Sequence, residues 1–64
     1  MKTREVLKRL REEGWVVVRM RGSHRQLQHP IKKGTVTVAG HPNDDLHPGT
    51  LRSIWRQAQL EGER

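Results

Sequence analysis

Sixty-four residues leave room for one domain, and a chain this short buries only about 60% of the surface its unfolded form exposes. With no cysteine it has neither a disulfide framework nor a thiolate metal site, so a compact apolar core, helped by any partner chain, must hold it together. Thirteen Lys and Arg against seven Asp and Glu give a net charge of +6 and a pI near 11.2, a field that attracts polyanions, nucleic acid first among them. The longest apolar run, Trp15 to Val18, is far too short to span a membrane. No signal-type segment follows Met1 to Glu5, so a cytoplasmic protein is expected.

The first predicted element is a helix over Thr3 to Glu13. Thr3 is the expected N-cap, Glu5 sits in the first turn where the helix dipole favours an acid, and Gly14 supplies the stop. Val6, Leu7 and Leu10 make its apolar stripe. Trp15 to Arg21 reads as a strand, with Val16, Val18 and Met20 expected on one face and Trp15, Val17, Arg19 and Arg21 on the other. After the Gly22-Ser23 turn, His24 to His29 forms a second strand, in which His24, Gln26 and Gln28 alternate with Arg25, Leu27 and His29. Pro30 ends it.

Lys32-Lys33-Gly34 is a basic turn into a third strand, Thr35 to Ala39, where Val36 and Val38 are the inward pair. Gly40 to His47, with Pro42, Asn43, Asp44 and Asp45, is loop chemistry. A second helix begins at Pro48, with Leu51, Ile54, Trp55 and Ala58 on its apolar face. Glu61 to Arg64 are expected to fray. Three strands joined by short connections imply an antiparallel meander, and two apolar helix stripes need one sheet face to cover. The predicted fold is an α+β layer pair, α-β-β-β-α, in a single domain.

His24 is the candidate for chemistry. It follows a turn, on the polar side of a strand, with Arg19, Arg21 and Arg25 nearby. Histidine is the commonest general acid or base, and arginine forks match phosphate geometry. On these residues alone, a surface histidine bonded to a loop is the commoner reading. His29, His41 and His47 each precede a proline at irregular spacing, so no metal site is expected. Asp44-Asp45 lacks a nearby third carboxylate and reads as loop capping rather than a magnesium site. There is no phosphate-binding Gly-rich loop, no nucleophile elbow, and no Phe or Tyr platform for stacking bases. Trp55 is expected in the core and Trp15 half-exposed.

Taken together, Gly14-Trp15, Arg19, Gly22-Ser23-His24, His29-Pro30, Thr37-Val38, His41-Pro42 and Gly49-Thr50-Leu51-Arg52 with Ile54 resemble the HicA family. These are the mRNA interferase toxins of HicA–HicB toxin–antitoxin pairs, also called YcfA-like proteins. The likeness runs from about Val6 to Ala58. Leu27 departs from the family pattern, where an aromatic residue is common, and so does Trp55, where an aliphatic one is usual.

The resemblance implies a double-stranded-RNA-binding-domain-like fold and a metal-independent endoribonuclease acting on mRNA, with His24 as its catalytic histidine. Arg19, Arg21, Ser23, Arg25, Lys32 and Lys33 are the expected RNA-binding residues, and Lys32, His29 and His41 are candidates for the acid. It also implies a prokaryotic protein neutralised by a HicB-like antitoxin, reaching operator DNA only through that complex. The competing readings are a non-catalytic RNA-binding module, or an interaction protein whose basic surface docks an acidic partner.

Overall fold

The computed structural model describes residues 1–60. Helix α1 (Thr3–Glu12) leads into strands β1 (Val16–Arg21), β2 (His24–Gln28) and β3 (Val36–Ala39), and helix α2 (Pro48–Gln57) closes the order. The strands pair antiparallel in the order β1-β2-β3, the α+β arrangement of a double-stranded-RNA-binding domain that the sequence leads one to expect. The segment 61–64, expected to fray, lies outside the described residues.

Alternation along β2 and β3 decides which face is covered. Leu27 pairs with Val36, and both are fully buried together with Val38, whereas Gln26, Gln28, Thr37 and Ala39 are exposed. Val6 and Leu10 of α1 and Ile54 and Trp55 of α2 pack on the buried set, joined by Trp15, Ala58 and Leu60. Both helices therefore share one face of the sheet and lean on its β2–β3 half. β1 contributes no buried residue.

The two helices end in the same device. At α1 the Gly14 N–H donates to the Arg11 carbonyl and the Trp15 N–H to the Leu10 carbonyl, with Gly14 at φ +96°. This left-handed turn folds the residue after the cap back onto the last helical turn. Trp15, expected to be half-exposed, is for that reason fully buried. At α2 the Gln59 N–H donates to Arg56 and the Leu60 N–H to Trp55, which buries Leu60; here the left-handed residue is Gln59, at φ +59°.

Thr3 is not the N-cap of α1; that position falls on Lys2. The free N–H groups of Thr3 and Arg4 instead donate to the backbone carbonyls of Asp44 and Pro42, and Glu5 Oε1 accepts from the Lys2 N–H. Thr3 is thereby buried, its hydroxyl donating to the Asp44 carbonyl at 3.2 Å. Helix α2 begins as its composition suggests, with Pro48 at its first position and His47 as N-cap, Nδ1 accepting from the Gly49 N–H at 3.1 Å.

β1 departs from simple alternation. Val16 pairs with Gln28 and Val17 with Leu27, but the next pair is Arg19 with Gln26, so Val18 is an extra residue. A β-bulge of this kind shifts the side-chain phase of the strand beyond it. Val17 and Met20 accordingly face the helices, while Val16, Arg19 and Arg21 face away. The expected grouping of Val16, Val18 and Met20 does not survive.

His29 is locked beside Gly14. Its Nδ1 accepts from the N–H groups of Ile31 and Lys32, both at 3.0 Å, so Nε2 carries the proton and donates to the Glu13 carbonyl, also at 3.0 Å. The ring meets Trp15 edge-on, centroids 5.3 Å apart. A Cβ on Gly14 would stand 2.6 Å from His29 Nε2. Gly14→Ala therefore combines a left-handed backbone with a clash, and is expected to lower stability by about 2–3 kcal/mol, seen as a fall in melting temperature of roughly 10–20 °C.

Candidate active site

The uncovered face of the sheet holds a concavity of about 350 Å³. Arg19 and Arg21 line it from β1, His24 and Gln26 from β2, Thr37 and Ala39 from β3, and Thr50 from the first turn of α2. Register explains the gathering: Arg21 pairs with His24, His24 with Ala39, Arg19 with Gln26, and Gln26 with Thr37. Cross-strand partners share a face, so two rows of side chains run across the sheet at right angles to the strands. The bulge at Val18 puts the two arginines in those rows.

His24 is exposed, and its side chain makes no hydrogen bond among the described residues. Arg19 and Arg21 are likewise exposed and have no hydrogen bond or ion pair among the described residues. An imidazole flanked by two uncommitted guanidinium groups, above a floor of amide and hydroxyl groups, is suited to holding a phosphodiester beside a base.

The remaining expected site residues lie elsewhere. Arg25 points to the helix face, across from Met20 and Val38, and its Nη1 donates to the Gly40 carbonyl at 2.8 Å. Ser23 is in the turn before β2; its backbone carbonyl accepts from the Gly40 N–H at 3.1 Å and its side chain does not line the concavity. Lys32 and Lys33 follow the far end of β2, whose length from His24 to Gln28 is about 13 Å at the usual rise per residue. His29 lies at that same far end with both ring nitrogens engaged, so neither it nor Lys32 is brought to His24. His41 follows Ala39, the β3 partner of His24, and so stands at the near end. Gln26, Thr37 and Thr50 are site residues that sequence reasoning did not select. Gln26 shares the alternation of His24, but Thr37 and Thr50 carry no signal of their own. Among the described residues no three His, Asp or Glu side chains group to hold a metal ion.

The profile of the family described as the HicA toxin of bacterial toxin–antitoxin systems matches residues 3–60. The chain belongs to the HicA toxin family. It has no match among curated proteins. HicA toxins belong to bacterial toxin–antitoxin systems, which supports a toxin role for this chain, and none of its described helices is long and apolar enough to cross a membrane. The matched segment spans both helices and all three strands, so this HicA chain carries every element that shapes the concavity.

The positions of Arg25 and Arg21 predict different costs. Arg25→Ala removes a partly buried charged donor and is expected to cost about 1–2 kcal/mol in thermal unfolding. Arg21→Ala removes an exposed side chain with no hydrogen bond among the described residues and should change stability by less than about 0.5 kcal/mol. A thermal melt of each variant checks both.

Proposed function

We propose that the protein is a metal-independent mRNA interferase whose catalytic residue is His24. The observation that carries this reading is the exposed His24 of the Gly-Ser-His element in a concavity lined by Arg19 and Arg21. His24 acts as general base and takes the proton of a ribose 2′-OH. The 2′ oxygen attacks the adjacent phosphorus, the bond from phosphorus to the 5′ oxygen breaks, and a 2′,3′-cyclic phosphate and a 5′-OH end result. Arg19 and Arg21 hold the phosphate oxygens and stabilise the added charge as it develops. Gln26, Thr37 and Thr50 supply neutral donors and acceptors for the sugar and base.

The leaving 5′ oxygen needs a proton, and we assign that role to His41, which follows the β3 partner of His24 by two residues and is the one candidate read from the sequence at that end of the sheet. The protein works in the prokaryotic cytoplasm, where a HicB-like antitoxin covers this face and operator DNA is reached only as part of that complex. A non-catalytic RNA-binding module would use the same arginines without the base, and product analysis separates the two.

His24→Ala should retain the wild-type circular dichroism spectrum and lose cleavage by roughly 10²–10⁴-fold, the usual contribution of a general base. If the variant still cuts a defined RNA at the wild-type rate, the assignment of His24 is wrong. His41→Ala should lose cleavage in the same range if it is the acid, and show a wild-type rate if water serves. Replacing both Arg19 and Arg21 by Ala should lower the slope of log affinity against log salt by about 1.4, at roughly 0.7 per phosphate contact on single strands.

A further inference from the structure

The RNA site leaves β1 half explained. Of the large apolar side chains exposed among the described residues, four stand on this one strand: Val16, Val17, Val18 and Met20, from 37% to 59% exposed. The opposite edge of the sheet is guarded, since the Thr37 N–H of β3 donates to Gln57 Oε1 of α2 at 3.2 Å. The outer edge of β1 pairs with no strand among the described residues. An uncovered apolar edge is a template for another chain, and native proteins cover it or make it charged.

On the helix side of β1 lies a second concavity, of about 180 Å³. Leu7 of α1, Val17 and Pro42 form its apolar floor, and Arg4, Arg11 and Arg25 its rim. Among the described residues no carboxylate pairs with that rim. Arg4 and Arg25 donate to neutral oxygens, Asn43 Oδ1 and the Gly40 carbonyl, and Arg11 has no hydrogen bond or ion pair among the described residues. Over the edge of the strand, Arg19 and Arg21 stand on the other face with no ion pair among the described residues. An apolar ridge is thus bordered by cations on both sides.

We propose that β1 and the groove beneath it are the docking surface for the antitoxin, occupied by an extended segment of that protein rich in acidic and aliphatic residues. This rests on the toxin–antitoxin reading and specifies how the partner holds on. The charge pattern selects an acidic occupant, whose carboxylates would meet Arg4 and Arg11 on one side of the strand and Arg19 and Arg21 on the other. RNA fits the groove poorly, because the floor is leucine, valine and proline, with no ring on which a base could stack. A second copy fits poorly too. Each chain carries +6, and antiparallel pairing of two β1 strands would bring their arginines together. A segment seated on this edge lies beside the arginines of the His24 concavity, so docking there also obstructs RNA.

The test uses the toxin and its cognate HicB-like antitoxin, with Val17→Glu, Met20→Glu and Arg11→Glu toxins. All three positions are exposed and lie off the RNA face. Each variant should melt and cleave RNA like wild type, yet bind the antitoxin at least roughly tenfold more weakly, the effect of a lost interface anchor. In the wild-type complex, the amides of residues 16–21 should exchange more slowly with deuterium than in the free toxin. Wild-type affinity in all three variants, or unprotected β1 amides in the complex, overturns the docking surface while leaving the pairing itself intact. Loss of RNA affinity in Val17→Glu and Arg11→Glu would make the groove a nucleic-acid site instead. A concentration-dependent toxin dimer with β1 already protected would assign the edge to a second copy. If wild-type toxin does not bind the antitoxin at all, the partner reading falls as well.

Discussion

The number of apolar side chains available to cover the sheet constrains everything else in this molecule. The buried cluster among the described residues draws on Leu27, Val36 and Val38 from the sheet and on the inward faces of the two helices. A helix about 10 Å across spans roughly two strands at their spacing of about 4.8 Å. Helix α2 is drawn to the β3 side, where Gln57 seals the edge, and between α1 and β1 the groove lined by Leu7 and Val17 stays open. One strand therefore stays bare, and so does the whole opposite face of the sheet. Both exposed surfaces of functional interest follow from that shortage.

The residues that carry the family likeness divide by the side of the sheet they serve. Gly14, Trp15 and His29 form a lock at the end of α1, in which the imidazole is held by three backbone groups and an indole edge. His24 and Arg19 form part of the open face. Two histidines five residues apart on one short stretch thus have opposite fates. His29 has both ring nitrogens committed, and His24 has neither. The commitment of His29, and not its distance alone, removes it from acid–base chemistry.

Element order, the inward pair Val36 and Val38, the buried Leu27 and the apolar face of α2 were all legible, because each repeats at the period of its element. The bulge was not. Val16, Val17 and Val18 are equally apolar, so the run offers no phase, and an inserted residue leaves no trace in hydropathy. Trp15 was misplaced because its burial comes from the left-handed turn after α1, a backbone effect that strand alternation does not register. Within the site, His24 and the pair Arg19 and Arg21 could be named from local chemistry. Arg25 alternates with His24 in the same strand and so points to the other face, where its guanidinium donates to the Gly40 carbonyl. Thr37 and Thr50 come from β3 and α2, and only tertiary pairing brings them to His24.

The stitching of the amino-terminal segment to the loop before α2 bears on the order of folding. Thr3 and Arg4 donate to Asp44 and Pro42, Leu46 donates to Met1, and Lys2 bridges to Asp45. These contacts close some of the longest stretches of chain in the molecule, whereas the β1–β2 hairpin closes over Gly22 and Ser23 alone. Loop-closure entropy makes short closures early and long ones late. The meander that bears His24 and its arginines can then assemble first, and α1 is fastened down afterwards. The seam between residues 1–4 and 42–46 is then the last part of the molecule to close, and it lies apart from the rows of side chains on the opposite face.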